Sequence, residues 1–159
     1  MSPSRILRLV AIPAFAAALA VALAAGCSTP PSSKDAEAEA AKEAHTFEQQ
    51  VHAGQTLFTL HCANCHGGVG QGKSAPRLVG LKEGALPLDP PADRKFRTGK
   101  FVTVADVADF AVHNMPPKTP GSLTPDVYWA ILAFDLHANG LDLKQKLTPE
   151  VAKATKIPR

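Results

Sequence analysis

Five residues, Cys62-Ala63-Asn64-Cys65-His66, constrain this chain more than any other feature. Two thiols three residues apart at a helix end can each reach one vinyl group on a porphyrin edge. The next residue then offers its imidazole to the iron, and this C-x-x-C-H spacing is that of covalent haem attachment. The following segment fits a chain that needs such a group. Residues 67–100 hold seven of the eleven glycines and four of the fourteen prolines, with no sustained apolar period beyond a short helical turn expected around Ala75 to Lys82. A loop of that length is uncommon in a small domain, and a prosthetic group replacing missing core explains it. Spacing alone leaves other uses of the cysteines open. These are a Cys62–Cys65 disulfide in an oxidising compartment, a thioredoxin-like pair that needs a βαβ setting, and a zinc site that needs a second ligand pair.

Around the motif the periodicity is helical, and no strand pattern or internal repeat is visible. Phe47, Val51, Gly54, Phe58 and His61 recur at intervals of three and four, one face of a helix. Gly54 within that face costs roughly 1 kcal/mol against alanine, which predicts that another helix approaches there too closely for a side chain. A second helix is expected over Thr103 to His113, capped by Thr103 with Asp106 three residues on. Met115-Pro116-Pro117 ends it. A third begins after Thr124 with Pro125 at its first position and Asp126 at its positive end. Its apolar stripe is Val127, Ile131, Phe134 and Ala138, with Tyr128, Trp129 and Leu132 beside it, and Asn139-Gly140 supplies a left-handed stop. The expectation is an all-α domain of three main helices around one covalently bound haem.

The N-terminus indicates export. Arg5 and Arg8 precede an apolar run from Leu9 to Ala25, which ends in Ala24, Ala25 and Gly26. Positive start, apolar middle and small residues at a cleavage point describe a secretory signal. A retained membrane helix is the alternative for this run of 17 residues. Leu23-Ala24-Ala25-Gly26-Cys27-Ser28 resembles the lipobox of bacterial lipoproteins, which implies diacylglyceryl attachment at Cys27 and cleavage before it. The expected organisation is therefore a signal peptide at 1–26, the lipidated Cys27 and a flexible tether at 27–46 with its Ala/Glu/Lys-rich residues 34–45 either partly helical or disordered, a folded domain at 47–140, and a C-terminal tail at 141–159. A short helix is expected within that tail from Thr148 to Thr155. The expected location is the periplasmic side of a bacterial cell envelope.

Charge is mild. Residues 47–159 carry 13 basic against 10 acidic side chains, too little excess to argue for nucleic acid. The densest patch is Arg94-Lys95-Phe96-Arg97-Thr98-Gly99-Lys100. It reads either as a solvated loop or as a docking face or propionate lid. For the second axial position on the iron, Met115 is the one methionine left after the signal, 49 residues beyond His66. A thioether there raises the reduction potential relative to stronger donors. His113 and His137 are its rivals.

From about Phe47 to Gly140 the chain resembles class I cytochromes c. The resemblance is carried by Gly54-x-x-x-Phe58-x-x-x-Cys62 leading into the haem motif and by the Gly67 to Gly72 loop with Ala75-Pro76-Arg77-Leu78. Asn114-Met115-Pro116 and the closing Tyr128-Trp129-Ala130-Ile131-Leu132-Ala133-Phe134 complete it. It implies haem c thioethers at Cys62 and Cys65, axial ligands His66 and Met115, and a Pro76 carbonyl that accepts from the other His66 ring nitrogen. It further implies Arg77 near a propionate, and Gly54 and Phe58 crossing the last helix near Trp129 or Tyr128. Leu86 to Asp93 and the segment after Gly140 depart from the family pattern. The implied function is single-electron transfer, with no catalysis of its own, between redox proteins at a membrane. A cytochrome subunit of a membrane oxidoreductase, or a haem sensor or peroxidase, are the alternatives.

Overall fold

The computed structural model describes residues 32–80, 82, 88–90, 92 and 97–158. Among the described residues six helices follow in chain order: α1 Ser33–Lys42, α2 Phe47–His61, α3 Ala63–His66, α4 Val104–Asn114, α5 Pro125–Ala138 and α6 Pro149–Ala154. Among the described residues there is no strand, only an isolated antiparallel bridge between Thr103 and Lys156. No described helix is long and apolar enough to cross a membrane. The expected signal segment, Cys27 and residues 94–96 of the basic patch lie outside the described residues.

Local sequence sets the helix ends. Thr46 opens α2 by accepting from the Gln49 amide, while Gln49 Oε1 accepts from the Thr46 amide at 3.1 Å. This reciprocal capping satisfies two otherwise orphan donors. At α4, Asp106 Oδ2 takes the amides of Val102 and Thr103 at 2.8 and 2.7 Å. Those bonds favour the charged form and hold the carboxyl below its usual range. Pro125 starts α5, and Gly140 follows its end with φ of 78°, a left-handed turn that glycine adopts without side-chain strain.

The α2–α5 crossing organises the molecule. A Cβ placed on Gly54 would overlap the Ala130 carbonyl oxygen and press on Phe134, so the glycine lets two backbones touch. One helical turn later Phe58, fully buried, tilts against Phe134 with ring centroids 5.2 Å apart. The crossing is thus on Ala130 and Phe134, rather than on Trp129 or Tyr128 as the family likeness implied. Nor does α5 carry a single apolar stripe. Val127, Ala130, Ile131, Leu132, Ala133, Phe134 and Leu136 are all buried, because α1 and α2 cover one side of it and α4 another.

Two segments are more structured than the sequence suggested. Residues 33–42, expected within a flexible tether, form α1, capped by Ser32. Ala41 is buried with Leu57, Phe58 and Ala130, and Glu37 meets His61 at 2.8 Å, both partly shielded. Alanine contributes little apolar area, but its small size lets a helix seat closely on a neighbour, and that docking supplies what the composition lacks. Beyond Gly140 the chain closes the core instead of trailing from it. Leu147, Ala152 and Ile157 join Phe101, Val104, Val107, Leu132 and Leu136 in one apolar cluster. Gln50, itself buried, fastens this return: Gln50 Nε2 donates to the Leu147 carbonyl at 3.0 Å, and the Leu147 amide donates to Gln50 Oε1 at 2.6 Å. The helical turn expected over Ala75 to Lys82 is not formed in residues 75–80, which are extended and bent, since their amides bond elsewhere.

Two substitutions test this packing. Gly54→Ala forces α2 and α5 apart and destabilises by about 3 kcal/mol or more. In holoprotein denaturation this appears as a lower midpoint with unchanged slope. Gln50→Leu keeps the volume but strands the Leu147 amide and carbonyl. Its expected cost is about 2–3 kcal/mol, and hydrogen exchange at the Leu147 amide should rise well above that of the wild type.

Candidate functional site

Cys62 ends α2 and caps the four-residue α3, so Cys62, Cys65 and His66 share one tight turn. So short a helix cannot satisfy its own carbonyls, and the glycine-rich loop does it instead. The Ala75 amide donates to the Cys65 carbonyl at 2.9 Å and the Gly72 amide to the His66 carbonyl at 2.7 Å. Folding the loop back in this way brings the Pro76 carbonyl to 2.7 Å from His66 Nδ1. A carbonyl can only accept, so the proton of the neutral ring sits on Nδ1. The lone pair on Nε2 is left for a metal. His66 is buried, 7% exposed.

The two cysteines are unbonded to each other. Burial pushes the Cys62 thiol up to about 12, with smaller contributions from the neighbouring Asp135 carboxylate and from Cys65. At neutral pH the Cys62 side chain is therefore a protonated thiol, slow to oxidise. Paired free thiols flanking one turn, with an imidazole oriented beside them, are a donor set that fits a covalently held haem. Among the described residues no group of three or more His, Cys, Asp or Glu side chains is arranged to hold a bare metal ion.

Met115 lies at the C-cap of α4, partly buried. Its carbonyl accepts from Tyr128 Oη at 2.6 Å, so α5 fixes the segment that carries it. The rival histidines are engaged elsewhere on the surface. His113 sits on Asp109, and His137 is 2.6 Å from Asp142. Arg77 Nη1 reaches the Val79 carbonyl at 3.3 Å within the loop. In the basic patch, Arg97 is not freely solvated. Its guanidinium lies 3.8 Å from the centroid of the Phe101 ring and donates to the carbonyls of Leu88, Asp89 and Gly99, while Lys100 pairs with Asp89 at 3.2 Å.

Several positioning residues went unread in the sequence. Asn139, expected only as a helix stop, locks the loop onto α5. Its Nδ2 donates to the Leu78 carbonyl at 2.9 Å and its Oδ1 accepts from the Gly80 amide at 2.9 Å. Tyr128 looked like the edge of an apolar stripe. Asp135 is an acidic residue inside an apolar helix, the one signal visible in the sequence. Burial raises its carboxyl to about 7, and its Oδ1 is sealed from solvent with no hydrogen-bond partner.

Comparison with known proteins agrees with this geometry. No curated protein matches the sequence. Among solved structures, a chain of the sulfane dehydrogenase SoxCD from Paracoccus pantotrophus is similar, with 29% identity and a TM-score of 0.50. The match covers 68% of this chain and 53% of that one, so this chain spans about half the length of that relative. The family model for cytochrome c oxidase, cbb3-type, subunit III matches residues 49–134, more than half of the chain, including the Cys62–His66 turn and Met115. The chain belongs to this family: it is an all-α c-type cytochrome that carries one covalently bound haem c and transfers electrons.

Proposed function

We propose that this protein is a lipid-anchored electron carrier of the bacterial cell envelope, its haem joined to Cys62 and Cys65 and ligated axially by His66 and Met115. The observation that carries this is the His66 Nδ1 contact with the Pro76 carbonyl, beside two free thiols on the same turn. It fixes the ring's tautomer and orientation before any metal arrives, which strengthens the imidazole as a ligand. When bound, the haem supplies the one-electron change. The protein's part is to hold the group, shield it and set its potential. Buried Phe58, Ile131 and Phe134 exclude water on the α2–α5 side. Tyr128 holds the Met115 backbone in place, and His66 and Met115 together would hold the iron and close it to substrate. By family likeness Arg77 is assigned to the propionate side.

At the other end, α1 begins six residues after Cys27. Lipid on Cys27 would tether the chain to the membrane surface. A single acyl chain binds only marginally, and stable anchoring needs more than one. Donors and acceptors are then redox proteins at that surface.

The comparisons favour a second reading, a haem subunit of a larger oxidoreductase. The family is named for an oxidase subunit, and the similar solved structure is a dehydrogenase. Mild-detergent purification separates the two. Co-elution with other subunits selects the second, and isolation as a single chain selects the first.

The ligand assignment has direct tests. Met115→Ala should keep the covalent haem, admit carbon monoxide to the reduced iron rapidly, and lower the reduction potential by on the order of 0.2 V, since axial ligands move it over a wide range. Cys27→Ala should release the protein from the membrane fraction with its spectrum unchanged. A wild-type chain that is folded yet colourless after expression in a host that matures such proteins would end the proposal.

A further inference from the structure

The last main helix holds a carboxyl that nothing in the packing explains. Asp135 lies on α5 among Leu132, Ala133, Phe134 and Leu136, all buried. Its Oδ1 is sealed from solvent and lacks a partner, an expensive arrangement for an ionised oxygen. Its carboxylate acts electrostatically on Cys62, one of the two haem-bearing cysteines. It also borders a cavity of about 20 Å³ lined by Val107, Leu132, Leu136, Leu141 and Ile157. The surface of that cavity is apolar, so it brings no water to the carboxyl. The proton route is the edge of Asp135 itself, which as a residue is only partly buried.

We propose that Asp135 is a proton acceptor coupled to this chain's electron transfer. On reduction, one electron passes from the donor protein to the site and one proton passes from solvent water to the Asp135 carboxyl at its partly exposed edge, converting carboxylate to carboxylic acid. On oxidation both leave, so net charge near Cys62 is conserved through the cycle. Among the described residues, the groups around Asp135 bring no other charge to this role. From α2 comes Cys62, whose sulfur no longer titrates once it is a thioether. From α4, α5 and the C-terminal segment come Val107, Leu132, Leu136, Asn139, Leu141, Ile157 and Pro158, none of them charged.

Burial already raises the Asp135 carboxyl into the neutral range. The sign of the effect follows from charge. An added electron makes the site more negative and disfavours carboxylate, so the reduced form binds the proton more tightly. Reduction is then easier at low pH, and the potential falls as pH rises through the carboxyl's titration.

The test is spectroelectrochemical titration of the full-length holoprotein from about pH 5 to about pH 9. In the wild type the reduction equilibrium should weaken with pH, approaching tenfold per pH unit at its steepest, about 59 mV for one electron. Asp135→Asn should flatten that dependence, and Asp135→Glu should restore it. If Asp135→Asn fails to mature, redox-difference infrared spectra of the wild type give the answer, because a protonated carboxyl band must appear on reduction. A wild-type potential independent of pH, an Asn variant that keeps the slope, or the absence of that band would each overturn the proposal. It rests on the haem assignment made above, and the two fail differently. A chain without covalent haem removes the assignment, whereas a coloured holoprotein with a flat potential removes only the proton site.

Discussion

The contact between Gly54 and the Ala130 carbonyl is the constraint on which the remaining structure depends. It brings α2 and α5 together backbone to backbone, and α2 ends four residues after Phe58, at Cys62. The position of the cysteines and His66 is therefore set by a helix crossing that lies outside the Cys62–His66 turn itself. Because packed backbones are stiff, a shift of one helix on the other would move the whole turn.

From that crossing α5 reaches every other part of the site. Tyr128 near its start holds the Met115 carbonyl, Asp135 near its end faces Cys62, and Asn139 at its cap holds the loop whose Pro76 carbonyl orients His66. One helix thus positions the residues assigned to both sides of the iron. The Gly67–Gly80 loop has no regular structure of its own. Its amides pair with carbonyls that α3 cannot satisfy, which is why a glycine-rich segment adopts one conformation. The segments at either end of the domain, α1 and residues 141–158, close the remaining flanks of α2, α4 and α5.

Much of this was legible in the sequence, for identifiable reasons. Haem attachment has a fixed spacing, so C-x-x-C-H read directly. The ends of α2, α4 and α5 were readable because capping is a local interaction spanning three or four residues. Gly54 was readable because a glycine in a helix face needs a reason. The docking of residues 33–42 was not readable: their composition allowed either partial helix or disorder, and Ala, Glu and Lys carry no apolar period to show that surfaces on α2 and α5 hold the helix. Nor was the C-terminal return readable. Gln50 and Leu147 are 97 residues apart, and no local pattern pairs them.

By itself, then, the sequence determined the haem-attachment chemistry and the three principal helices: two thiols and an imidazole at the spacing that suits one haem. Tertiary structure alone decided which polar groups become positioning devices. Asn139, Tyr128 and Gln50 act through partners distant in the chain, and Asp135 is set by the burial around its carboxyl. A side chain's hydrogen bonds and the ionisation of a buried carboxyl depend on what packing places beside them, and that information does not exist until the helices cross.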